Sequence, residues 1–330
     1  MNKKDMLKGV IQSMNGDGGM FEYEWGRDKP LSDQLCWSGY TLAAMCLLGE
    51  EKIAQKLIDS LEWMETLTGK DGYLPRCVYY GDKKFDYIKI LNLYGGLGIW
   101  NDTSQDQYLG LFFGLHFART YKESNLGWKA CELERRLRDT LIKDKMRIKN
   151  EDGKTCKFGK LNRFYQHIFF PDMKWNWRDK LMLKLMPLMK WQDTLKRIQG
   201  KRLNRSNYHM MLCGLYLICQ YKPEFVKYYK AVYKHVEKED NGLFNAMFNS
   251  LTGDDKPVKE IVDRMTDRCQ YISKSDVIER DYIVDTEDRP FSHWAWKEDP
   301  YMEKADDAEY TNRYGTHADG LLALAINGRK

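Results

Sequence analysis

The sequence predicts an all-α protein in which apolar helices alternate with charged, amphipathic ones. Apolar residues recur at helical spacing along most of the chain. Only 8 of the 330 residues are proline, which seldom occurs inside helices. Segments that are apolar almost all round are followed by segments that are apolar on one face. Buried helices show the first pattern and surface helices the second, so we expect an inner and an outer set of helices.

Four predicted helices in the first half form two such pairs. The segment 35–48 is apolar throughout and rich in small residues, and 52–67 carries apolar residues on one face. Residues 73–100 hold several glycines and are predicted to form a loop or extended region. A second apolar helix follows at 104–121, and a second amphipathic helix at 128–145. Each apolar helix therefore precedes its own surface partner.

The second half repeats this pairing. Residues 206–221 are apolar, and 224–237 are amphipathic. A further amphipathic helix is predicted over 256–273, and a final apolar helix over 316–326. No linker rich in proline, glycine or serine divides the chain, so we predict one domain over residues 1–330.

Composition excludes several classes of protein. Aromatic residues make up 13% of the chain, which disordered proteins do not show. No apolar run approaches the roughly 18–20 residues of a membrane span. The eight cysteines show no zinc-ligand spacing, and no apolar segment of a signal peptide follows the basic start. We therefore expect reduced thiols and a cytoplasmic protein, with a processed, exported chain as the alternative.

Three segments resemble the (α/α)6 toroid proteins of the six-hairpin glycosidase-like superfamily. They are Asp71-Gly-Tyr-Leu-Pro-Arg, the stretch that begins Trp100-Asn-Asp-Thr-Ser-Gln-Asp-Gln-Tyr, and Gly315-Thr-His-Ala-Asp-Gly. No specific hydrolase or lyase family is matched. The resemblance implies a single toroid of inner and outer helices with long loops at one rim. It also implies a funnel at one end of the inner barrel that holds a sugar or another polar substrate.

The strongest local feature is the segment that contains Asp102 and Asp106. These residues are four apart and share a face on a continuous helix. Ser104 and Gln107 have capping-box spacing, which places Asp106 in the first helical turn. There the helix dipole favours an anion and a neighbouring carboxylate raises one pKa, as acid/base catalysis requires. Plain N-capping by Asp102 or Ser104 explains the same pattern.

Polar and aromatic residues also begin the other predicted apolar helices. If alternate helices are parallel, these starts meet at one rim, where aromatic rings can stack on a sugar and amides or carboxylates can bind its hydroxyls. The predicted catalytic residues are Asp102 and Asp106. The predicted substrate-binding residues at or near these starts are Asp33, Trp37, Trp100, Gln107, Tyr108, Asn207, His209, His317 and Asp319. Trp294 and Trp296 lie in the long segment 285–301, which we expect to be a loop over the funnel, where they would stack on the sugar. Taken singly, each is better explained by a structural role. No metal-binding or cofactor motif is present, so no cofactor is expected.

Charge is distributed unevenly along the chain. Residues 174–205 carry ten Lys and Arg against two Asp, and residues 276–309 carry twelve Asp and Glu against four Lys and Arg. Within the first stretch, 174–191 is basic and rich in Met, Leu and Trp, a composition that can lie on an anionic membrane surface. A packed helix with snorkelling lysines is the interpretation we favour. No nucleic-acid-binding motif is present.

These observations predict a carbohydrate-active enzyme that acts on an oligosaccharide or another polyol. A glycoside hydrolase or a polysaccharide lyase fits, with Asp106 as the general acid and Asp102 as its partner or as a carboxylate that orients the substrate. The alternative is a non-catalytic toroid that binds a glycan or a protein partner, with a membrane surface reached through residues 174–191. The absence of a recognisable catalytic set favours that alternative.

Overall fold

The computed structural model describes most of the chain and shows two compact units. The described residues are 34–80, 89–91, 97–100, 103–149, 155–157, 162–185, 206–260, 262, 270–272, 277–280, 282–285, 288–289, 301–305, 310–314 and 318–329. They are mostly helical with short strands, which confirms the all-α class. The N-terminal unit contains the described residues up to 170, and the C-terminal unit contains those from 171 onwards. The closed ring and the single domain over 1–330 stay predictions.

The N-terminal unit contains two helical hairpins and small antiparallel sheets. Its helices are α1 (Gln34–Leu48), α2 (Glu51–Thr68), α3 (Gln105–Ala118), α4 (Asn125–Lys143) and α5 (Asn162–Phe169). Its strands are β1 (Cys77–Tyr80), β2 (Lys89–Leu91), β3 (Leu97–Trp100), β4 (Arg147–Lys149) and β5 (Thr155–Lys157). The first three form a sheet in the order β1-β3-β2, and β4 pairs with β5. The predicted extended region between the hairpins is thereby confirmed.

Burial separates four of these helices into two that are buried on all sides and two that are amphipathic. Every residue of 34–46 in α1 and of 107–118 in α3 is buried. Helices α2 and α4 bury one face each and expose charged residues on the other. Helix α2 ends at Gly69, whose left-handed backbone (φ 64°) suits a residue without a Cβ. The alternation of buried and amphipathic helices is thus confirmed for both hairpins.

Helices α1 and α3 touch backbone to backbone through glycines. A Cβ added to Gly39 would fall inside 3.0 Å of the Gly110 carbonyl oxygen, and one added to Gly114 would collide with the Gly39 carbonyl. A Cβ on Gly110 would lie 2.5 Å from the Cys36 carbonyl oxygen. Real Cβ atoms do not approach so closely. The residues at these contacts must therefore be glycine, because the two helix backbones occupy the space of a side chain.

The two buried helices run parallel. Near their starts, the Cys36 N–H donates a hydrogen bond of 3.0 Å to Gln107 Oε1. Beyond their far ends, the Tyr121 hydroxyl donates one of 2.7 Å to the Cys46 carbonyl. Both helices therefore begin at the same end of the unit, which we call the α1–α3 rim. The parallel arrangement expected for alternate helices holds for this pair.

A partly buried ion pair fixes the chain that leads from α2 to this rim. Glu65 is 5% exposed and accepts hydrogen bonds from the Gly72 N–H at 2.6 Å and from Arg136 Nη2 at 2.7 Å. Gly72 has φ 68°, and a Cβ there would collide with the Arg136 carbonyl of α4. The Thr140 hydroxyl donates to the Asp71 carbonyl at 2.9 Å. The turn is therefore held against α4 by both charge and close packing.

The described part of the C-terminal unit contains five α-helices and two small strand pairs. Its α-helices are α6 (Trp177–Leu185), α7 (Ser206–Tyr221), α8 (Val226–Tyr233), α9 (Gly242–Thr252) and α10 (Ala318–Asn327). Single 3-10 turns occur at Pro223–Phe225 and Glu237–Glu239. Strand β6 (Gln270–Ile272) pairs with β9 (Tyr310–Tyr314), and β7 (Val277–Glu279) pairs with β8 (Met302–Lys304). Among all described residues, no helix combines the length and apolarity needed to cross a bilayer.

The helix predicted over 256–273 is wrong at both ends. Asn249 of α9 accepts the Lys256 N–H at 2.8 Å and donates to the Lys256 carbonyl at 2.9 Å, while Asn245 donates to the Pro257 carbonyl at 2.9 Å. These side chains occupy backbone groups that a helix would need. At the other end, β6 pairs with β9. Local hydrogen bonding thus overrides the amphipathic pattern.

We predict that Gly110→Ala destabilises the protein by about 3 kcal/mol, because the new methyl group must push α1 away from α3. Denaturant unfolding followed by circular dichroism measures the change. Gly328→Ala is the matched control, since its Cβ would meet its nearest neighbour, the Leu324 carbonyl oxygen, at an ordinary 3.4 Å. Equal stability of the two variants would contradict backbone contact between the helices.

We predict that Glu65→Gln lowers the free energy of unfolding by about 2 kcal/mol, because the Arg136 guanidinium loses a charged acceptor in a largely buried place. Glu132→Gln is the comparison. Glu132 pairs with Arg135 at 2.9 Å, but that pair is exposed. Water replaces the lost partner there, so stability should hardly change. Similar losses in the two variants would show that burial does not strengthen the Glu65 pair.

Candidate functional site

A cluster of partly exposed polar and aromatic residues lies at the α1–α3 rim. The Arg76 N–H donates to the Trp100 carbonyl at 2.8 Å, and the Arg76 carbonyl accepts the Leu35 N–H at 3.1 Å. The Arg76 guanidinium lies over the Trp100 ring, 5.1 Å from its centroid, and Nη1 donates to Ser104 Oγ at 3.4 Å. The Ser104 hydroxyl in turn donates to Asp106 Oδ1. We call Arg76, Trp100, Ser104 and Asp106 the Arg76 cluster.

The backbone around the cluster explains why these side chains meet. Cys77 pairs with Trp100 in the β1–β3 ladder, so Arg76 stands immediately beside the end of β3. Trp100 closes β3, and α3 begins only a few residues later with Ser104 as its N-cap residue. A cation over an aromatic face and a hydroxyl between two charged groups are both favourable contacts. The sheet and the helix start therefore converge on one patch.

The expected capping box does not form. Ser104 has the extended backbone of an N-cap residue, but its side chain makes no capping hydrogen bond and turns to Asp106. Gln107 Oε1 accepts the Cys36 N–H of α1. The first N–H groups of a buried helix need acceptors, and Gln107 supplies one to the neighbouring helix. Gln107 of the S-x-x-Q segment therefore accepts a hydrogen bond from the neighbouring helix α1 and not from its own N-cap residue.

Three further predicted site residues of the N-terminal unit lie in its core. Trp37, Gln107 and Tyr108 are each at most 1% exposed. The Trp37 ring packs against Tyr40 with 5.9 Å between centroids, and the Tyr108 hydroxyl accepts the Leu74 N–H at 3.5 Å. These residues belong to the core on which the rim packs. Trp100 and Asp106 are the predicted residues that the structure places partly in solvent and joins in one cluster.

The predicted site residues of the C-terminal unit are also buried where their side chains are described. His209 is 1% exposed and Asp319 is 2% exposed, in the first turns of α7 and α10. Burial lowers the pKa of His209 to about 3, so its ring is neutral at physiological pH. Its Nε2 lies 3.6 Å from Cys213 Sγ. Asn207 lies in the first turn of α7 as well, and its side chain is outside what the structure describes.

The remaining predicted site residues, Asp33, Asp102, Trp294, Trp296 and His317, lie outside the described residues. Sequence reasoning did not select Arg76 or assign Ser104 to the site. Arg76 ends the motif Asp71-Gly-Tyr-Leu-Pro-Arg, and Ser104 precedes Asp106 by two residues, so both lay within segments already recognised. Their contact depends on the β1–β3 pairing, which no local pattern reveals.

A second polar feature of the N-terminal unit is a charged depression beside the Gly72 turn. It is lined by Lys70, Asp71, Arg135, Arg136, Asp139, Thr140, Lys143 and Asp144. Lys70 pairs with Asp144 at 3.2 Å, and Arg135 pairs with Asp139 at 3.1 Å. The charged side chains of this depression therefore largely pair with one another. Within the described part of the chain, no group of three or more His, Cys, Asp or Glu is arranged to hold a metal ion.

Comparison of the chain with family models, with curated proteins and with solved structures finds no match. The Arg76 cluster offers an indole ring, a guanidinium group, a hydroxyl and a carboxylate within one partly exposed patch. Such a set is chemically suited to a ligand that has both an apolar face and several hydroxyl groups.

We predict that His209 makes stability depend on pH in the weakly acidic range. Its folded-state pKa of about 3 lies below the ordinary value of 6.5, so the unfolded state binds the extra proton. This contribution is complete above pH 6.5 and is lost as the pH falls towards 3. Between about pH 7 and about pH 5, the wild type should lose roughly 2 kcal/mol more stability than His209→Gln. Denaturant unfolding at both pH values measures the difference, and parallel losses would contradict the assignment of a neutral buried ring.

Proposed function

We propose that the protein binds a carbohydrate at the Arg76 cluster and hydrolyses a glycosidic bond there. One observation carries this proposal. A partly exposed indole and a partly exposed carboxylate are joined through Arg76 and Ser104 at the rim where two buried helices begin. A rim of this kind is where the resemblance to six-hairpin glycosidases places the substrate.

The binding step rests on complementary surfaces. The C–H face of a sugar ring is apolar and stacks on an indole such as that of Trp100. Arg76 supplies hydrogen-bond donors beside the ring, and Asp106 supplies acceptors. Neighbouring sugar hydroxyls can use both, because each hydroxyl donates and accepts. A backbone hydrogen bond holds Arg76 beside Trp100, and the guanidinium already lies over the indole, so little side-chain order has to be created on binding.

The chemical step assigns Asp106 as the general acid and Asp102 as its partner carboxylate. Glycoside hydrolysis uses two carboxyl groups, about 5–5.5 Å apart in retaining enzymes and about 6.5–9.5 Å apart in inverting ones. Asp106 lies in the first turn of α3, partly exposed, with its Oδ1 bonded to Ser104. Its carboxyl group is thus oriented by a neighbour and open to a substrate. A polysaccharide lyase would use the same acid/base pair.

Binding without chemistry is the second candidate, and a specific observation favours it. Trp37, Gln107, Tyr108 and His209 are buried, so four predicted substrate contacts serve packing and backbone hydrogen bonding. Of the predicted site residues whose side chains the structure describes, Trp100 and Asp106 keep part of their surface in solvent. A glycan-recognition site needs only the indole, the guanidinium and one acceptor. Hydrolysis also needs a second carboxyl group at the right distance from the first.

We predict that Asp106→Asn lowers glycoside hydrolysis at least about 100-fold while glycan binding is retained, because the amide cannot donate the catalytic proton. Trp100→Ala should weaken binding about tenfold, since stacking area is lost. A panel of oligosaccharides, assayed for binding by calorimetry and for release of reducing ends, measures both effects. Asp139→Asn removes an exposed carboxylate of α4 and is the matched control for charge.

The outcomes separate the two candidates. Binding that requires Trp100, together with no hydrolysis by the wild type, identifies a binding protein. Hydrolysis that survives Asp106→Asn removes Asp106 from the acid role. Unchanged binding by Trp100→Ala shows that the Arg76 cluster is not the sugar site. Unfolding midpoints of every variant establish that any loss of function occurs in folded protein.

A further inference from the structure

Helix α6 of the C-terminal unit turns apolar residues towards solvent. Trp177 is 68% exposed, Leu181 is 44% exposed and Leu185 is 49% exposed. They are spaced four residues apart, so they form one stripe along the helix. The side chains that α6 buries are Asp179 and Leu183. The helix therefore presents its larger apolar surface outwards, the reverse of an ordinary surface helix.

Positive charges border this stripe on both sides. At about 100° per residue, Lys180 and Lys184 lie on one flank of the stripe and Arg178 lies on the other. All three are exposed. The Arg178 guanidinium lies over the Trp177 ring, 5.4 Å from its centroid. The long side chains of Lys and Arg can cover apolar surface while their charges reach outwards.

The acidic residue of α6 does not offset these charges at the surface. Asp179 is 1% exposed and accepts the Asn176 N–H at 3.0 Å. Asn176 in turn accepts the N–H of Arg178 at 2.9 Å and caps the start of the helix. Just before the helix, the exposed charges of Asp172 and Lys174 balance. The outward face of α6 is therefore apolar along its middle and purely cationic along its edges.

We propose that α6 binds the surface of an anionic lipid bilayer. Trp177, Leu181 and Leu185 insert among the headgroups, and Arg178, Lys180 and Lys184 pair with lipid phosphates. Charge complementarity selects this partner, because an apolar stripe between two rows of cations matches an interface that is apolar beneath and negative above. The site is separate from the Arg76 cluster and does not depend on carbohydrate binding.

Flotation of the full-length protein with lipid vesicles tests the proposal. We expect binding to phosphatidylcholine vesicles that contain phosphatidylserine, and little binding to pure phosphatidylcholine. The double variant Lys180→Gln/Lys184→Gln should bind roughly 25-fold more weakly, at about fivefold per lost cation, and high salt should have a similar effect. Trp177→Ala should weaken binding about tenfold. Trp128→Ala is the matched control, because Trp128 is 62% exposed on α4 in the other unit.

Three results would overturn the proposal. Binding that does not depend on phosphatidylserine removes the electrostatic argument. Equal losses in Trp177→Ala and Trp128→Ala show that the stripe is not the contact. Self-association in sedimentation velocity that Leu181→Ser abolishes, without vesicle binding by the wild type, identifies a second copy of the chain as the partner of α6.

Discussion

The N-terminal unit depends on the direct contact between the backbones of α1 and α3. Gly39, Gly110 and Gly114 leave no side chain between the two helices, so the carbonyl of one approaches the Cα of the other. This closeness allows Gln107 to reach the first turn of α1 and accept the Cys36 N–H. It also sets the parallel direction that brings both helix starts to one rim. The Arg76 cluster lies there because of this packing.

The route by which Arg76 reaches the rim has its own physical cause. The segment between α2 and β1 turns at Gly72, where a positive φ and a close approach to α4 both require glycine. Glu65 binds the Gly72 N–H and Arg136 together, so the outer helices hold the turn. The β1–β3 ladder then fixes the chain on the other side of Arg76. The surface patch is thus supported by both hairpins.

The 3.6-residue period predicted the amphipathic helices because a surface helix buries one face, and continuous apolar runs predicted the helices that are buried on all sides. They failed over 256–273, where the Asn249 amide donates to the Lys256 carbonyl, a group that a helix beginning there would use. They also could not tell which face of α6 points inwards, since a stripe of Trp and Leu looks the same whether buried or exposed. Trp100 and Asp106 were recognised from residue type. Arg76 was missed because its place in the site arises from strand pairing between distant segments.

Polar residues at the start of a buried helix are needed first of all as hydrogen-bond acceptors for backbone N–H groups, and only those not used in this way are available to a ligand. The first N–H groups of such a helix have no intrahelical acceptor and no water, so nearby side chains must supply oxygens. Gln107 supplies such an oxygen to the first turn of α1. Gln34, the first residue of α1, does the same for a strand, because its side-chain oxygen accepts the Val78 N–H of β1 at 2.6 Å. Residues used in this way are buried and closed to a ligand. Those that lie at the same rim but keep part of their surface in solvent, Asp106 above all, are the ones available for chemistry.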